Sequence, residues 1–307
     1  MAAGRFAPSP TGPLHLGNLR TALAAWLFAR STGSAFLLRM EDLDRAQASR
    51  DHEATQQREL ELLGIGWDGP VVRQSERFDR YEAAIAELEA AGRTYPCWCT
   101  RREIREAAAA PHDGPAPDGA YPGTCRNLTL AEQADRARSE RRPALRLRGP
   151  NATLEVHDDL LGPVRALVDD VVLRRNDGVP AYNLAVVVDD AAQGVEHVVR
   201  ADDLAPSAPR QRHLADLLGL APVRYAHVPL VLGPEGRRLA KRDGAVTLEE
   251  QLAAGRSPAE VVAVLARSLG LEVPERAVAA SDLVARFDPA ALSLDPWALP
   301  ADLLAPT

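Results

Sequence analysis

Two short stretches, far apart in a chain of 307 residues, hold residue types suited to phosphate chemistry: His15-Leu16-Gly17-Asn18 and Arg238-Leu239-Ala240-Lys241-Arg242. An imidazole can donate to a phosphate oxygen, and a glycine beside it removes the Cβ that would hold a flat base off the backbone. A lone His at a helix start also serves as a cap or a packed ring. Lys241 is the single lysine among 36 basic residues. Its ammonium is a compact point charge on a flexible stem, which a planar guanidinium fork does not replace. Gly233-Pro234-Glu235-Gly236 before it and Gly244 after it read as a loop that can close over a triphosphate.

All three cysteines, Cys97, Cys99 and Cys125, fall in one region. Pairing as disulfides would leave one thiol over, whereas three thiolates at this spacing suit a structural zinc ion that needs one more ligand. The candidates for that ligand are Tyr121 and His112. On zinc chemistry alone His112 is preferred, because imidazole is far the commoner ligand.

These groups need elements to hold them. Arg5-Phe6-Ala7 reads as a strand start, Pro8 to Leu16 as a loop, and the stretch to Arg30 as a long amphipathic helix. The positive end of such a helix faces the loop and suits phosphate. The glycine spacing fits neither the Walker loop nor the dinucleotide fingerprint. Ala35 to Met40 is a strand with Glu41, Asp42 and Asp44 at its C-terminal end, the edge where doubly wound sheets bind ligands. Helices are expected over Ala48 to Leu63, Arg77 to Ala91, Leu204 to Leu218, Leu248 to Ala254 and Pro258 to Leu269. Strands are expected over Leu145 to Arg148, Leu154 to His157, Val164 to Val172, Val195 to Val199 and Val228 to Leu232. Leu173 to Asp190 reads as a hairpin turn at Asp177-Gly178 feeding a buried strand, with Tyr182 at its entrance. A Pro-rich tail closes the chain.

Apolar content of 46% and charged content of 26% are ordinary for a soluble globular protein. With no apolar run near bilayer-spanning length and no apolar targeting core, a cytoplasmic protein is expected. The net charge of −7 argues against a basic coat for nucleic acid. Arg93 to Pro150 nevertheless holds eleven Arg against seven acids, a local basic face able to dock one end of an RNA.

The pair HLGN and RLAKR resembles the HIGH and KMSKS signatures of class I aminoacyl-tRNA synthetases. RFAPSPTG at Arg5 to Gly12 with LLRMEDLDR at Leu37 to Arg45 is similar to the glutamyl branch of that family. The likeness runs from Arg5 to about Thr247. It departs at Arg238, where the first Lys of the loop usually stands, at Ala240, which replaces its Ser, and at Val186, where full-length glutamyl enzymes carry Asn.

The resemblance implies an α/β fold, a Rossmann-type doubly wound parallel sheet with a zinc-containing insertion and a short C-terminal helical segment. It divides the chain into 1–92 and 166–247 as halves of the catalytic domain, 93–165 as an acceptor-type insertion, and 248–307 as a helical remnant without an anticodon-binding domain. His15 and Lys241 are then the catalytic residues. Pro8, Ser9, His15, Gly17, Asn18 and Arg238 to Arg242, including Leu239 and Ala240, bind ATP. Arg5, Phe6, Ala7, Pro8, Ser9, Glu41, Tyr182 and Arg200 bind L-glutamate. Cys97, Cys99, Tyr121 and Cys125 hold zinc, so the family pattern favours Tyr121 over His112. ATP comes with Mg2+, and a monomer is expected. The short length implies the branch that transfers glutamate to queuosine in the anticodon of tRNA(Asp). Alternatives are charging of a tRNA 3′ end, a non-catalytic tRNA-binding relative, and a general nucleotidyltransferase.

Overall fold

The computed structural model describes residues 2–108, 121–233, 236, 246–274, 276–300 and 303. In chain order, β1 (Ala3–Phe6), α1 (Leu16–Ser31), β2 (Ala35–Met40), α2 (Arg50–Leu62), β3 (Val72–Arg73) and α3 (Phe78–Ala90) form the first half of the molecule. There follow β4 (Thr94–Cys97), α4 (Arg101–Ala108), α5 (Leu130–Ala137), β5 (Ala144–Leu147), β6 (Ala152–Asp158), β7 (Gly162–Val168) and β8 (Val172–Arg174). The second half comprises α6 (Tyr182–Ala192), β9 (Val195–Ala201), α7 (Ala208–Leu217), β10 (Arg224–Val228) and β11 (Val231–Leu232). Last come α8 (Leu248–Ala253), α9 (Pro258–Ser268), α10 (Ala280–Val284) and β12 (Trp297–Ala298).

The central sheet runs in the order β3-β2-β1-β9-β10-β6-β7. Every neighbouring pair is parallel except β6 and β7. The chain leaves β1 toward β2 on one side, while β9 lies on the other. The order therefore reverses between β1 and β9, and a crevice opens there beyond the carboxyl ends of the strands. Arg5 sits near the end of β1, Glu41 directly after β2, and Arg200 near the end of β9.

Helix α1 carries buried residues on almost every side, from Leu19 and Leu23 to Trp26 and Phe28, so the expected amphipathic helix is a core helix. The reason is the segment after residue 247. Helices α9 and α10 lie over the face of α1 that would otherwise meet water, and the Phe28 and Phe287 rings meet edge to face at 5.1 Å. The tail is thus part of the main core. Its strand β12 pairs in parallel with β11.

Several sequence expectations change. Tyr182 begins helix α6 rather than entering a strand. The run Val186-Val187-Val188 looked β-like, but Leu184 to Val187 pack against Tyr81, Ile85 and Leu214, and tertiary burial outweighs β-branched propensity. Val228 to Leu232 splits into β10 and β11 at Pro229-Leu230. Val164 to Val172 likewise splits at Asp169-Asp170. Leu204 to Leu218 begins as a 3₁₀ turn, Asp202–Ser207, before α7. Within the span 93–165, only β4 and β5 join β8 in a separate three-stranded antiparallel sheet, while β6 and β7 extend the central sheet.

Candidate active site and metal centre

The loop from Pro8 to His15 is held by α2. The Gln56 amide donates to the carbonyls of Ser9 (3.1 Å) and Gly12 (2.7 Å), and the Glu59 carboxyl accepts from the Leu14 N–H at 2.9 Å. Burial pushes Glu59 up to about 7. His15 caps α1: its Nδ1 accepts the Asn18 N–H at 3.2 Å, while Asn18 Oδ1 accepts the His15 N–H at 3.4 Å. Because Nδ1 is an acceptor, the proton of the neutral ring lies on Nε2, the donor a phosphate oxygen requires. The cap is therefore compatible with the phosphate reading of His15. Gly17 has a structural role in addition to the one expected. A Cβ there would stand 2.9 Å from the His15 ring, so the glycine makes room for the imidazole.

Pro8, Ser9, His15 and Asn18 line a cavity of about 650 Å³ together with Arg5, Phe6, Ala7, Glu41, Tyr182 and Arg200. It occupies the crevice between β1 and β9. Of the three acids after β2, Glu41 reaches it. Asp42 is engaged by the Ser75 N–H (2.8 Å) and hydroxyl (2.5 Å). Burial pushes Glu41 up to about 7, although the guanidiniums of Arg39 and Arg5 pull it down.

Both cavity arginines are fixed from behind. Arg5 donates through Nε to Asp190 and through Nη1 to the Val199 carbonyl, each at 3.3 Å. Asp190 also accepts from the fully buried Arg39 at 2.8 Å. Burial alone would raise Asp190, but Arg39 and Arg5 hold it below the usual carboxylate range. Arg200 donates to His227 Nε2 (3.0 Å), Gln211 Oε1 (2.8 Å) and the Leu204 carbonyl (3.2 Å). A guanidinium has five N–H donors, and among the described residues three of them have partners, a geometry that leaves two able to meet a carboxylate. Val186 is buried and is absent from the cavity lining.

A second cavity of about 660 Å³ shares Ser9, Glu41 and Tyr182 with the first. Arg101, Arg141, Arg146 and Arg175 line it, as do Asp44, Cys97 and Cys99. At its wall the sulfurs of Cys97, Cys99 and Cys125 lie within 4.8 Å of one another, a separation one metal ion can bridge. The Tyr121 hydroxyl is 3.3 Å from Cys97 Sγ and 3.6 Å from Cys99 Sγ, and it accepts the Cys125 N–H at 2.8 Å. Burial would raise the Cys97 thiol, but the Tyr121 hydroxyl and the Arg146 guanidinium outweigh it and hold it below its ordinary value. Burial pushes Cys99 up to about 11. The Arg146 guanidinium lies 3.7 Å above the centre of the Tyr121 ring. Asp170 ties this module together: it accepts from the Tyr95 hydroxyl (2.5 Å), the Gly149 N–H (2.7 Å) and Arg126. A Cβ on Gly149 would meet the Asp169 carbonyl at 2.3 Å, which excludes any other residue there.

His112 and the residues Arg238, Leu239, Ala240, Lys241 and Arg242 lie outside the described residues. Both flanks of the Lys241 segment are described, and both reach α1. The Leu16 N–H donates to the Val246 carbonyl at 2.9 Å, His15 and Thr247 form an antiparallel bridge, and Val231 lies against Gly17. Sequence reasoning did not find Gln56, Glu59, Asp158, Asp190, Gln211 or His227. Each lies on an element away from the two signatures, and only the fold brings it to the site.

A doubly wound, mostly parallel sheet, with a histidine-capped helix on one side of its switch point and buried arginines on the other, defines a nucleotide-using α/β enzyme of the class I synthetase type. The chain belongs to the class I tRNA synthetases (E and Q), whose catalytic-domain model matches residues 2–304. It is 60% identical over 298 residues to a glutamyl-Q tRNA(Asp) synthetase from Nocardia farcinica, covering 97% of this chain and 93% of that one. It is 47% identical to a protein of the same name from Symbiobacterium thermophilum, covering 99% and 98% of the two chains. Among solved structures, the glutamate tRNA ligase of Elizabethkingia meningosepticum, crystallised with its amino acid, superposes with a TM-score of 0.81 at 28% identity. That match covers 98% of this chain and 68% of the ligase. No helix of the described residues is long and apolar enough to cross a membrane.

Proposed function

We propose that the chain activates L-glutamate with ATP to glutamyl-adenylate and then transfers the glutamyl group to queuosine in the anticodon of tRNA(Asp). The observation that carries this reading is the cavity at the β1/β9 switch point, which is lined by both the phosphate-type and the carboxylate-type residues. The names of the relatives support the queuosine acceptor.

In this reading Arg200, with two N–H groups left, and Arg5 take the side-chain carboxylate of glutamate, and Glu41 takes its ammonium beside Tyr182. The α-carboxylate attacks the α-phosphate and pyrophosphate leaves. His15 donates from Nε2 to a phosphate oxygen, and Lys241 follows the charge that grows on the phosphates. Mg2+ arrives with the nucleotide as part of the substrate. The queuosine hydroxyl then attacks the mixed anhydride, displacing AMP. The second cavity adjoins the first and is lined with arginines suited to RNA phosphates, which supports it as the acceptor's way in.

The metal centre fits a structural zinc ion: three sulfurs and a phenolic oxygen surround one point, and a guanidinium favours thiolate. In that role zinc pins the sheet of β4, β5 and β8. The expected division into domains, cytoplasmic location and monomeric state belong to this same reading.

The test is incubation with radiolabelled glutamate, ATP and queuosine-containing tRNA(Asp), followed by nuclease digestion. Label on the anticodon fragment is the expected result. Label on the 3′-terminal nucleoside would make the chain a conventional charging enzyme, and no label would make it a non-catalytic relative.

A further inference from the structure

Asp158 and His227 are fully buried, lie on the neighbouring strands β6 and β10, and do not line the substrate cavity. Asp158 Oδ1 accepts the N–H groups of Leu160 (3.0 Å), Leu161 (2.9 Å) and His227 (3.2 Å). Its other oxygen is 2.5 Å from His227 Nδ1. On the far side of the ring, Arg200 Nε lies 3.0 Å from His227 Nε2. Arg200 can only donate, so Nε2 must accept and the ring proton must sit on Nδ1, facing Asp158. A buried carboxylate and imidazole in place of apolar side chains cost stability, which calls for a return elsewhere.

We propose that Asp158 and His227 are positioning residues for Arg200. The carboxylate fixes the neutral Nδ1–H tautomer, the ring then receives the Arg200 Nε–H, and the guanidinium is held in one plane with its two remaining donors available to the substrate carboxylate. Gln211 completes the clasp, accepting from Arg200 Nη1 and donating to Asn183 at 3.0 Å. This inference rests on the reading that the cavity takes glutamate.

The experiment is glutamate-dependent pyrophosphate exchange with tRNA present, measured for the unaltered chain, His227→Phe and His227→Gln, with a melting curve for each. Phe fills the space but leaves the Arg200 Nε–H without an acceptor, whereas the Gln carbonyl restores one near the position of Nε2. His227→Phe should raise KM for glutamate about tenfold or more, with KM for ATP and kcat changed less than about threefold. His227→Gln should return KM for glutamate to within about threefold of the starting value. An unchanged KM for glutamate, equal rises for glutamate and ATP, or identical behaviour of the Phe and Gln variants overturns the positioning role. Should the Phe variant fail to fold, Asp158→Asn takes its place: a severalfold rise in KM for glutamate alone supports the proposal, and no rise overturns it. If the unaltered chain shows no glutamate-dependent exchange, the reading of the cavity itself falls, and this inference falls with it. Exchange in the unaltered chain without the selective KM effect removes the inference alone.

Discussion

The main-chain N–H of Leu16 donates to the carbonyl of Val246 at 2.9 Å, so the first turn of α1 is stitched to the end of the segment that carries Lys241. The His15–Thr247 bridge adds a second stitch beside it. Val246 and Thr247, which follow the Lys241 segment in sequence, thus meet the start of α1 more than two hundred positions away.

The placing of that described flank makes Lys241→Ala an informative test of the proposed function. Adenylate formation is expected to fall by about 10²- to 10³-fold, the usual loss when one transition-state charge partner is removed. The circular dichroism spectrum and melting temperature should be unchanged. Undiminished pyrophosphate exchange would take Lys241 out of the chemistry.

Gly17→Ala tests the seat of the imidazole. The added methyl would stand 2.9 Å from the His15 ring and 3.4 Å from Val231 Cβ, and the ring must turn off its cap. If His15 acts on the phosphates as proposed, misplacing its ring is expected to lower kcat by about tenfold to a hundredfold. The fold should tolerate the change, so an undiminished kcat in the Gly17→Ala chain would show that the ring position is not critical.

The proposed zinc site at Cys97, Cys99 and Cys125 predicts about one zinc per chain by elemental analysis. Tyr121→Phe is expected to weaken metal retention against a chelator by about tenfold, and more than His112→Ala. The reverse ranking would move the fourth position to the histidine. Chelation should melt the module of β4, β5 and β8 ahead of the central sheet.

Glu59 gives a pH dependence of stability with a definite sign. Burial raises it from 4.5 to about 7 in the folded chain, so between these values the folded state binds more protons than the unfolded one. Stability contributed by the protonated carboxyl is complete below about 4.5 and is lost as pH rises through about 7. Glu59→Gln keeps an acceptor for the Leu14 N–H and has no proton to lose. Relative to wild type it should gain stability as pH rises across that window, by at most about 3 kcal/mol. Parallel urea midpoints for the two chains across the window would exclude the effect.

The parallel strands, the loop after β1 and the cysteine cluster were legible in the sequence because each is a local pattern: an apolar run, a Pro- and Gly-rich turn, a spacing of thiols. Tyr182 was misread because three consecutive valines mimic a strand, and only the packing of α6 against α3 and α7 makes them helical. The support beneath the arginines was invisible for another reason. Asp190 and Arg39 are 151 positions apart, and Arg200 and His227 are 27, with neither periodicity nor motif to link them. Which faces of β6, β9 and β10 meet is decided by sheet order, and sheet order is not a local property. The reach of the tail was missed likewise, since α9 and α10 look like an appendage until α1 is seen to lack any other cover.

Strand β12 lies beside β11, the root from which the Lys241 segment departs, and Trp297 and Leu299 donate to the carbonyls of Leu230 and Leu232. A ribosome delivers β11 well before β12. During synthesis, the backbone pairing of β11 with β12 is therefore among the last contacts of β11 to form. A chain cut before Trp297 would leave the β11 edge without this strand partner at the point where the Lys241 segment departs.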